Sequence, residues 1–365
     1  VISAVLQTSF LGDMVLTTPL LERLAREGLV HVVATPANAA VLANHPAVAS
    51  VIVFDKRGAD RGWRGVRRVA SALKATGATR AFMAQGSLRT ASIAWLAGIP
   101  ERIGFDTSSG RVLYTRRVPY AKNQHHAVRL WQLASAPGDA TIPAGLRPSL
   151  HPGPAEHDAV DALLRTAGFK GSDPLLPIND PGSLVGGSAI TGAEFLIALA
   201  PGSVWATKRW PSYDALAAEL VRTMPGGRLV VLGAATDAPL AAAISAAVAS
   251  AGGPPVIDAT GKLSLLGSAA LLARCRVLVS NDSAPLHLAS AMNTPTVAVF
   301  GPTVPELGFG PLAERRAIVE RYTLGCRPCN AHGPQQCPLT HWRCMRDIAP
   351  DRVRRTIEQI DTTAQ

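Results

Sequence analysis

The chain has 365 residues, of which 47% are hydrophobic and 17% charged, and its formal net charge is +10. That length favours two cores over one, and no apolar run reaches the roughly 18 residues of a membrane span, which excludes a helical membrane protein. The opening VISAVLQTS lacks the charged n-region of a signal peptide, and five cysteines, four of them clustered, do not form a secreted disulfide framework, so a cytoplasmic protein is expected.

The first half alternates short apolar runs with amphipathic stretches. Strands are expected at 2–8, 30–34, 51–54 and 80–84, with helices at 13–27, 37–44, 61–76 and 87–97 between and after them. Such alternation predicts a doubly wound parallel sheet. A Pro- and Gly-rich stretch at 136–154 precedes a helix at 154–167, and residues 169–194 have the composition of a linker or insertion. A second alternating unit starts with a strand at 195–200. It continues through helix 212–223, strand 228–232, helix 237–251, strand 255–258, helix 263–274, strand 276–280, helix 285–292 and strand 296–300. A terminal helix at about 350–362 closes the chain. The organisation predicted is therefore an α/β first domain over 1–168, a connection over 169–194, an α/β second domain over 195–348, and a helix and tail over 349–365. Two Rossmann-like halves of this kind are expected to face one another across a cleft, an arrangement suited to two substrates.

The positive charge points to an anionic partner. Lys56, Arg57, Arg61, Arg64, Arg67 and Arg68 fall within thirteen residues, with Trp63 among them. They read either as a solvated helix face or as a surface for phosphorylated lipid or sugar at a membrane. No nucleic-acid motif accompanies them, so nucleic acid is not expected.

Strand-to-helix junctions carry the candidate chemistry. In open parallel sheets, phosphate-bearing ligands sit beyond the C-terminal strand ends, against helix N-termini. After the first strand, Gly12 permits a turn and Asp13 stands at a helix start. It reads either as an N-cap or as a general base for an acceptor hydroxyl. No GxGxxG is present, which argues against a dinucleotide oxidoreductase. After Ala200, Ser203 and Lys208 can take a phosphate, the lysine neutralising charge that grows on a departing nucleoside diphosphate. Asp237 follows Leu232 as a further acid or an N-cap. The richest stretch, NDSAPLHLASAMNTPTVAVFGPT at 281–303, places Asp282, Ser283 and His287 across one strand-to-helix turn. The imidazole there reads as a packing residue or as a ligand contact. Cys326, Cys329, Cys337 and Cys344, with His332 and His341, read as reduced thiols, a zinc site or disulfides; the lack of a second CxxC weakens the zinc reading.

Five ordered segments, GDMVLTTPLLERLA, QGSLRTAS, RIGFD, PGSVWATKRWP and the 281–303 stretch, resemble the bacterial lipopolysaccharide heptosyltransferases, glycosyltransferase family 9. CRPC…CPLTHWRCM is similar to the cysteine-bearing tail of the heptosyltransferase II branch. The resemblance implies a GT-B fold and inverting transfer without a catalytic metal or other cofactor. It implies ADP-L-glycero-β-D-manno-heptose as donor in the second domain, and the lipid A-linked core oligosaccharide as acceptor in the first. Through the matched motifs Asp13 becomes the general base, Ser203 and Lys208 take the diphosphate, and Asp237 becomes a nucleotide-side acid. Asp282 binds the donor heptose, Ser283, Ala284 and His287 line the sugar-diphosphate site, and Leu263 falls where the family lines adenine. Ala284 departs from the glycine usual in that turn. The basic helix at 61–76 is then expected to hold the protein in peripheral contact with anionic lipid, at the inner face of the inner membrane. The competing readings are another GT-B enzyme of nucleotide sugars, such as a different sugar transferase or an epimerase, and a non-catalytic metal- or nucleotide-binding protein.

Overall fold

The computed structural model describes residues 1–171 and 194–362, so most of the expected connection at 169–194 lies outside the described residues. The chain forms two compact units, 1–151 and 152–365.

The first unit contains a six-stranded parallel sheet. Its strands are β1 (Ile2–Gln7), β2 (Leu29–Ala34), β3 (Ser50–Val53), β4 (Arg80–Met83), β5 (Glu101–Phe105) and β6 (Arg116–Val118), ordered β3-β2-β1-β4-β5-β6. Five helices accompany them: α1 (Leu11–Ala25), α2 (Pro36–Ala40), α3 (Trp63–Ala75), α4 (Leu88–Leu96) and α5 (His126–Gln132). Strand order reverses between β1 and β4, and a doubly wound sheet binds ligands beyond the strand ends at that switch. β5, β6 and α5 were not foreseen. β5 opens with Glu101 and Arg102 and has only Ile103 and Phe105 as apolar residues, split by Gly104, and β6 is a three-residue edge strand with two arginines.

Periodicity explains how these helices attach. In α3 the residues Val66, Val69, Ala70 and Leu73 are buried, the i, i+3, i+4, i+7 stripe of a one-faced helix. They pack with Leu6, Val33, Phe54 and Met83 in one core. Complete burial of a side chain such as Leu73 contributes about 1.5–3 kcal/mol. By contrast α1 is buried on most of its surface, including Met14, Leu16, Leu20, Leu21 and Leu24. It serves as an internal strut that fixes the loop following β1.

The second unit repeats the topology. Its strands are β7 (Phe195–Ala200), β8 (Gly227–Val231), β9 (Ile257–Asp258), β10 (Cys275–Asn281), β11 (Thr296–Phe300) and β12 (Arg316–Glu320), ordered β12-β11-β10-β7-β8-β9, all parallel. The helices are α6 (Pro154–Thr166), α7 (Tyr213–Thr223), α8 (Ala238–Ser250), α9 (Leu265–Ala273), α10 (Ala284–Met292), α11 (Arg343–Arg346) and α12 (Pro350–Thr362). Here the order reverses between β7 and β10. β10, with Val277–Val279 at its centre, and β11, with Val297–Phe300, are buried along nearly their whole length, as expected of strands covered on both faces. β12 was not foreseen, because its apolar centre is only Ala317–Val319 between charged ends.

Two helices sit differently from the domain division expected above. α6 packs on α9, where Arg274 pairs with Asp161, so the unit boundary falls at His151/Pro152. The terminal α12 packs on α7 and β12, sending Val353, Ile357 and Ile360 into the core of the second unit. No described helix is long and apolar enough to cross a membrane.

Candidate functional site

In the second unit, the ends of three neighbouring strands converge on one carboxylate. β7 ends at Ala200, and the following loop carries Ser203 and a 3-10 turn, Ala206–Lys208. β10 ends at Asn281 and is followed by Asp282 and Ser283; β11 leads into Gly301, Pro302 and Thr303. Lys208 Nζ donates to Asp282 Oδ2 at 2.6 Å, and Thr303 Oγ1 donates to the same oxygen at 2.7 Å. All three side chains are buried. The reading of Lys208 as a solvated cation therefore fails, whereas neighbouring Arg209 is exposed and donates through Nε to Ser203 O at 2.8 Å.

Asn281 clamps the two loops together. Its Nδ2 donates to Pro201 O at 2.8 Å, and its Oδ1 accepts from Trp210 N at 3.2 Å and from Tyr213 Oη at 3.3 Å. Burial drives the Tyr213 phenol far above its ordinary pKa, so this hydroxyl remains a neutral donor. The Lys208 loop is thus fixed at its base by an amide that is fully buried.

Next to Asp282, α10 begins at Ala284 with Ser283 as an extended N-cap and Pro285 in its first turn. No side-chain hydrogen bond caps this helix, and its positive end faces the rim that holds Lys208. His287 is buried and meets Phe309 edge to face, with centroids 6.4 Å apart. Asp237 lies on the other side of the β7 loop. Its Oδ2 accepts from Ala234 N at 2.9 Å and closes a 3-10 turn before α8. A Cβ on Gly202 would lie 2.4 Å from that same Oδ2, so only glycine lets the β7 loop approach the acid. Leu263 is half-buried just before Ser264, whose hydroxyl accepts from Gly267 N at 2.9 Å and caps α9.

The first unit has its own polar rim. α1 begins at Leu11, with Phe10 as an extended N-cap, so Gly12 and Asp13 lie inside the first turn. Asp13 is accordingly not the N-cap. Its carboxylate Oδ1 lies 3.8 Å from His126 Nε2 on α5. Burial, and then the nearby Arg129 charge, push the His126 imidazole down to about 3, so the contact joins a carboxylate to a neutral ring. Beyond the ends of β1, β3 and β4 lies a cavity of about 280 Å³ lined by Thr8, Lys56, Arg57, Gln85, Ser87 and Arg89. Its lining holds three cations and no acid, which suits an anionic group.

The basic run of the sequence divides on inspection. Arg68 is committed to Asp60, with contacts of 2.6 and 2.5 Å, and Lys56 Nζ donates to Thr8 O at 2.5 Å. Arg57, Arg61, Arg64 and Arg67 are exposed, and Arg67 lies over the exposed Trp63 ring at 5.7 Å.

Several residues of the second unit's rim escaped the sequence reading. Thr303 falls within the quoted motif but had no role assigned. Arg327 and Glu320 form a buried ion pair at 2.6 Å, and Arg327 also donates to Thr303 O at 2.8 Å and to Gly301 O. Only a sequence signal linking positions far apart would have found them. All five cysteines are free thiols. Burial above all, and then the neighbouring thiols, raise Cys329, and burial pushes Cys344 up to about 11, so both are protonated near neutral pH. Among the described residues the group able to hold a metal ion is instead Glu22, His45 and His151. His45 Nδ1 accepts from Ala47 N at 3.2 Å, which leaves the ring proton on Nε2 and makes that nitrogen a donor.

Comparison with known proteins follows the same outline. Residues 66–342 match the model of Glycosyltransferase family 9 (heptosyltransferase). The lipopolysaccharide heptosyltransferase 1 of Pseudomonas aeruginosa is 30% identical over 340 residues, spanning 88% of this chain and 84% of that one. Among solved structures, the Escherichia coli ADP-heptose LPS heptosyltransferase II superposes with a TM-score of 0.75 at 22% identity, over 100% of this chain and 99% of that one. The E. coli heptosyltransferase WaaC with ADP gives 0.68 at 20% identity, over 99% and 100%. The α/β architecture of two six-stranded parallel sheets is thus the GT-B fold expected.

The Gly202 contact yields a prediction for the rim of the second unit. Gly202→Ala should destabilise the protein by about 1–3 kcal/mol through overpacking, and adding Asp237→Ala should recover part of that loss. Denaturant midpoints of both single variants and the double variant check this; strictly additive costs would show that the two positions do not touch.

Proposed function

Because the chain belongs to glycosyltransferase family 9, the heptosyltransferases, and is a glycosyltransferase, we propose that it transfers heptose from ADP-L-glycero-β-D-manno-heptose to the inner core of lipopolysaccharide. The observation that carries this reading is the Lys208–Asp282–Thr303 cluster at the switch point of the second sheet. An ammonium has three donors, so Lys208 can hold Asp282 and still offer a proton to a diphosphate oxygen. The Ser203 hydroxyl and the open end of α10, with Ser283 and Ala284, supply further donors around the same anion. His287 backs the sugar-diphosphate pocket, Asp237 and Leu263 border the nucleotide, and the second oxygen of Asp282 accepts from a donor hydroxyl. Relatives named for ADP-heptose or solved with ADP support this choice of donor.

Transfer with inversion needs a base, a leaving group and an acceptor. In this reading Asp13 takes the proton of the acceptor hydroxyl, the freed oxygen attacks the anomeric carbon, and the bond to ADP breaks. Lys208 compensates the charge that gathers on the leaving diphosphate. Neutral His126 orients the Asp13 carboxylate without neutralising it, which leaves the base available. The cationic cavity around Lys56, Arg57 and Arg89 receives an anionic group of the acceptor. Exposed arginines and Trp63 on and beside α3 give the protein a face for an anionic lipid surface, where that acceptor is anchored.

Asp13→Asn should lower transfer to a truncated core acceptor by about 10²–10⁴-fold while leaving ADP affinity unchanged. Turnover close to the parent's would remove Asp13 from the mechanism. For the lipid surface, the protein should sediment with phosphatidylglycerol vesicles at low salt and be released as salt rises. Replacing Arg61, Arg64 and Arg67 by serine should abolish this. Equal sedimentation with neutral vesicles would contradict an electrostatic contact.

A further inference from the structure

The segment that follows Arg327, read from the sequence only for its cysteines, lies against the Lys208 loop at several points. Gln335 makes a reciprocal pair of hydrogen bonds with the loop backbone: its Oε1 accepts from Ala206 N at 3.1 Å, and its Nε2 donates to Val204 O at 3.0 Å. Both Thr207 Oγ1 and Thr207 N donate to Pro334 O, the latter at 3.4 Å. The His332 ring stacks on Trp205 with centroids 6.3 Å apart. Gly333 has φ +83, a left-handed conformation that favours glycine, and a Cβ there would lie 3.2 Å from Lys208 Cγ and Cε. The segment is tied at its other end, where Cys329 N donates to Pro302 O at 2.8 Å and Arg327 holds Glu320.

From this geometry we infer that residues 327–335 form a strap that sets the position of Lys208, with Gln335 as a positioning residue for the donor diphosphate. The inference rests on the donor reading of Lys208 given above. The loop of 201–209 has no long helix or strand of its own. Its base is fixed by Asn281, but its tip, from Val204 to Thr207, is held by the strap. Val204 is 74% exposed and Gln335 is also exposed, so these bonds add little to the core. They fix the backbone from which Lys208 reaches Asp282. Without them the ammonium keeps its partner but loses a defined approach to a second anion.

The test uses the full chain with ADP as probe. Gln335→Ala should weaken ADP binding about five-fold and raise KM for the ADP-sugar to match, a modest loss for two solvent-facing hydrogen bonds. Its thermal midpoint should stay within about 2 °C of the parent's, since surface changes away from the core are nearly neutral. Gln335→Glu keeps the acceptor for Ala206 N but sets a carboxylate oxygen against Val204 O, so it should bind ADP no better than Gln335→Ala. Lys208→Ala serves as the control and should weaken ADP binding further. If Lys208→Ala weakens binding and Gln335→Ala does not, the strap inference fails while the donor reading stands. If Gln335→Ala instead lowers the thermal midpoint by many degrees, the residue is structural and the inference also fails. Unchanged ADP binding in Lys208→Ala would overturn the donor reading, and the strap's role with it.

Discussion

Lys208 and Asp282 come from loops 74 positions apart in sequence and meet at 2.6 Å, both withdrawn from solvent. A pair of that kind contributes little net stability, because desolvating two charges offsets most of their attraction. Its value lies in what it prevents. Neither charge can leave without stranding the other, so the ends of β7 and β10 are locked in one relation. Thr303 adds the end of β11 to the same oxygen, and Asn281 pins the base of the β7 loop. The polar rim is therefore an over-determined structure. Preorganised charge of this sort is what a departing diphosphate needs, since nothing has to reorient as the negative charge develops.

The second sheet holds this rim because its strand order reverses between β7 and β10. The two strands are hydrogen-bonded neighbours there, and the loops that leave them meet at Asp282. The first sheet has the same order, and its switch point is also polar, but its chemistry differs. There a carboxylate meets a neutral imidazole, and three cations line a cavity with no acid. One topology, used twice, thus yields one rim built on a buried ion pair and another that carries a carboxylate–imidazole contact and a cation-lined cavity. Loop composition, not strand arrangement, makes that difference.

Much of this was legible in the residues. Long apolar runs such as those of β10 and β11 mark buried parallel strands, and the polar residues just after them mark the rim, which is how Ser203, Lys208, Asp282 and Ser283 stand out. Short edge strands left no such trace. β6 is Arg-Arg-Val, and β12 sets three apolar residues between Arg316 and Glu320. Helix starts were read within two residues, and that shift was enough to move Asp13 from a supposed cap into the first turn of α1. The burial of Lys208 was beyond reach, because its partner and its cover come from distant segments. For the same reason the cysteine-bearing stretch was read through its thiols, whereas its visible contacts are made by Gln335, Pro334 and Arg327. These side chains and backbone groups have no motif of their own.

The central claim is that the donor nucleotide binds at the switch point of the second sheet, and backbone hydrogen exchange with and without saturating ADP tests it directly. Binding should slow exchange at amides of 202–208 and 283–287, whose first-turn and loop N–H groups face the proposed diphosphate, while amides after β1 and β4 of the first sheet stay unchanged. Protection confined to the first sheet's rim, or absent from both of those segments, would contradict the account.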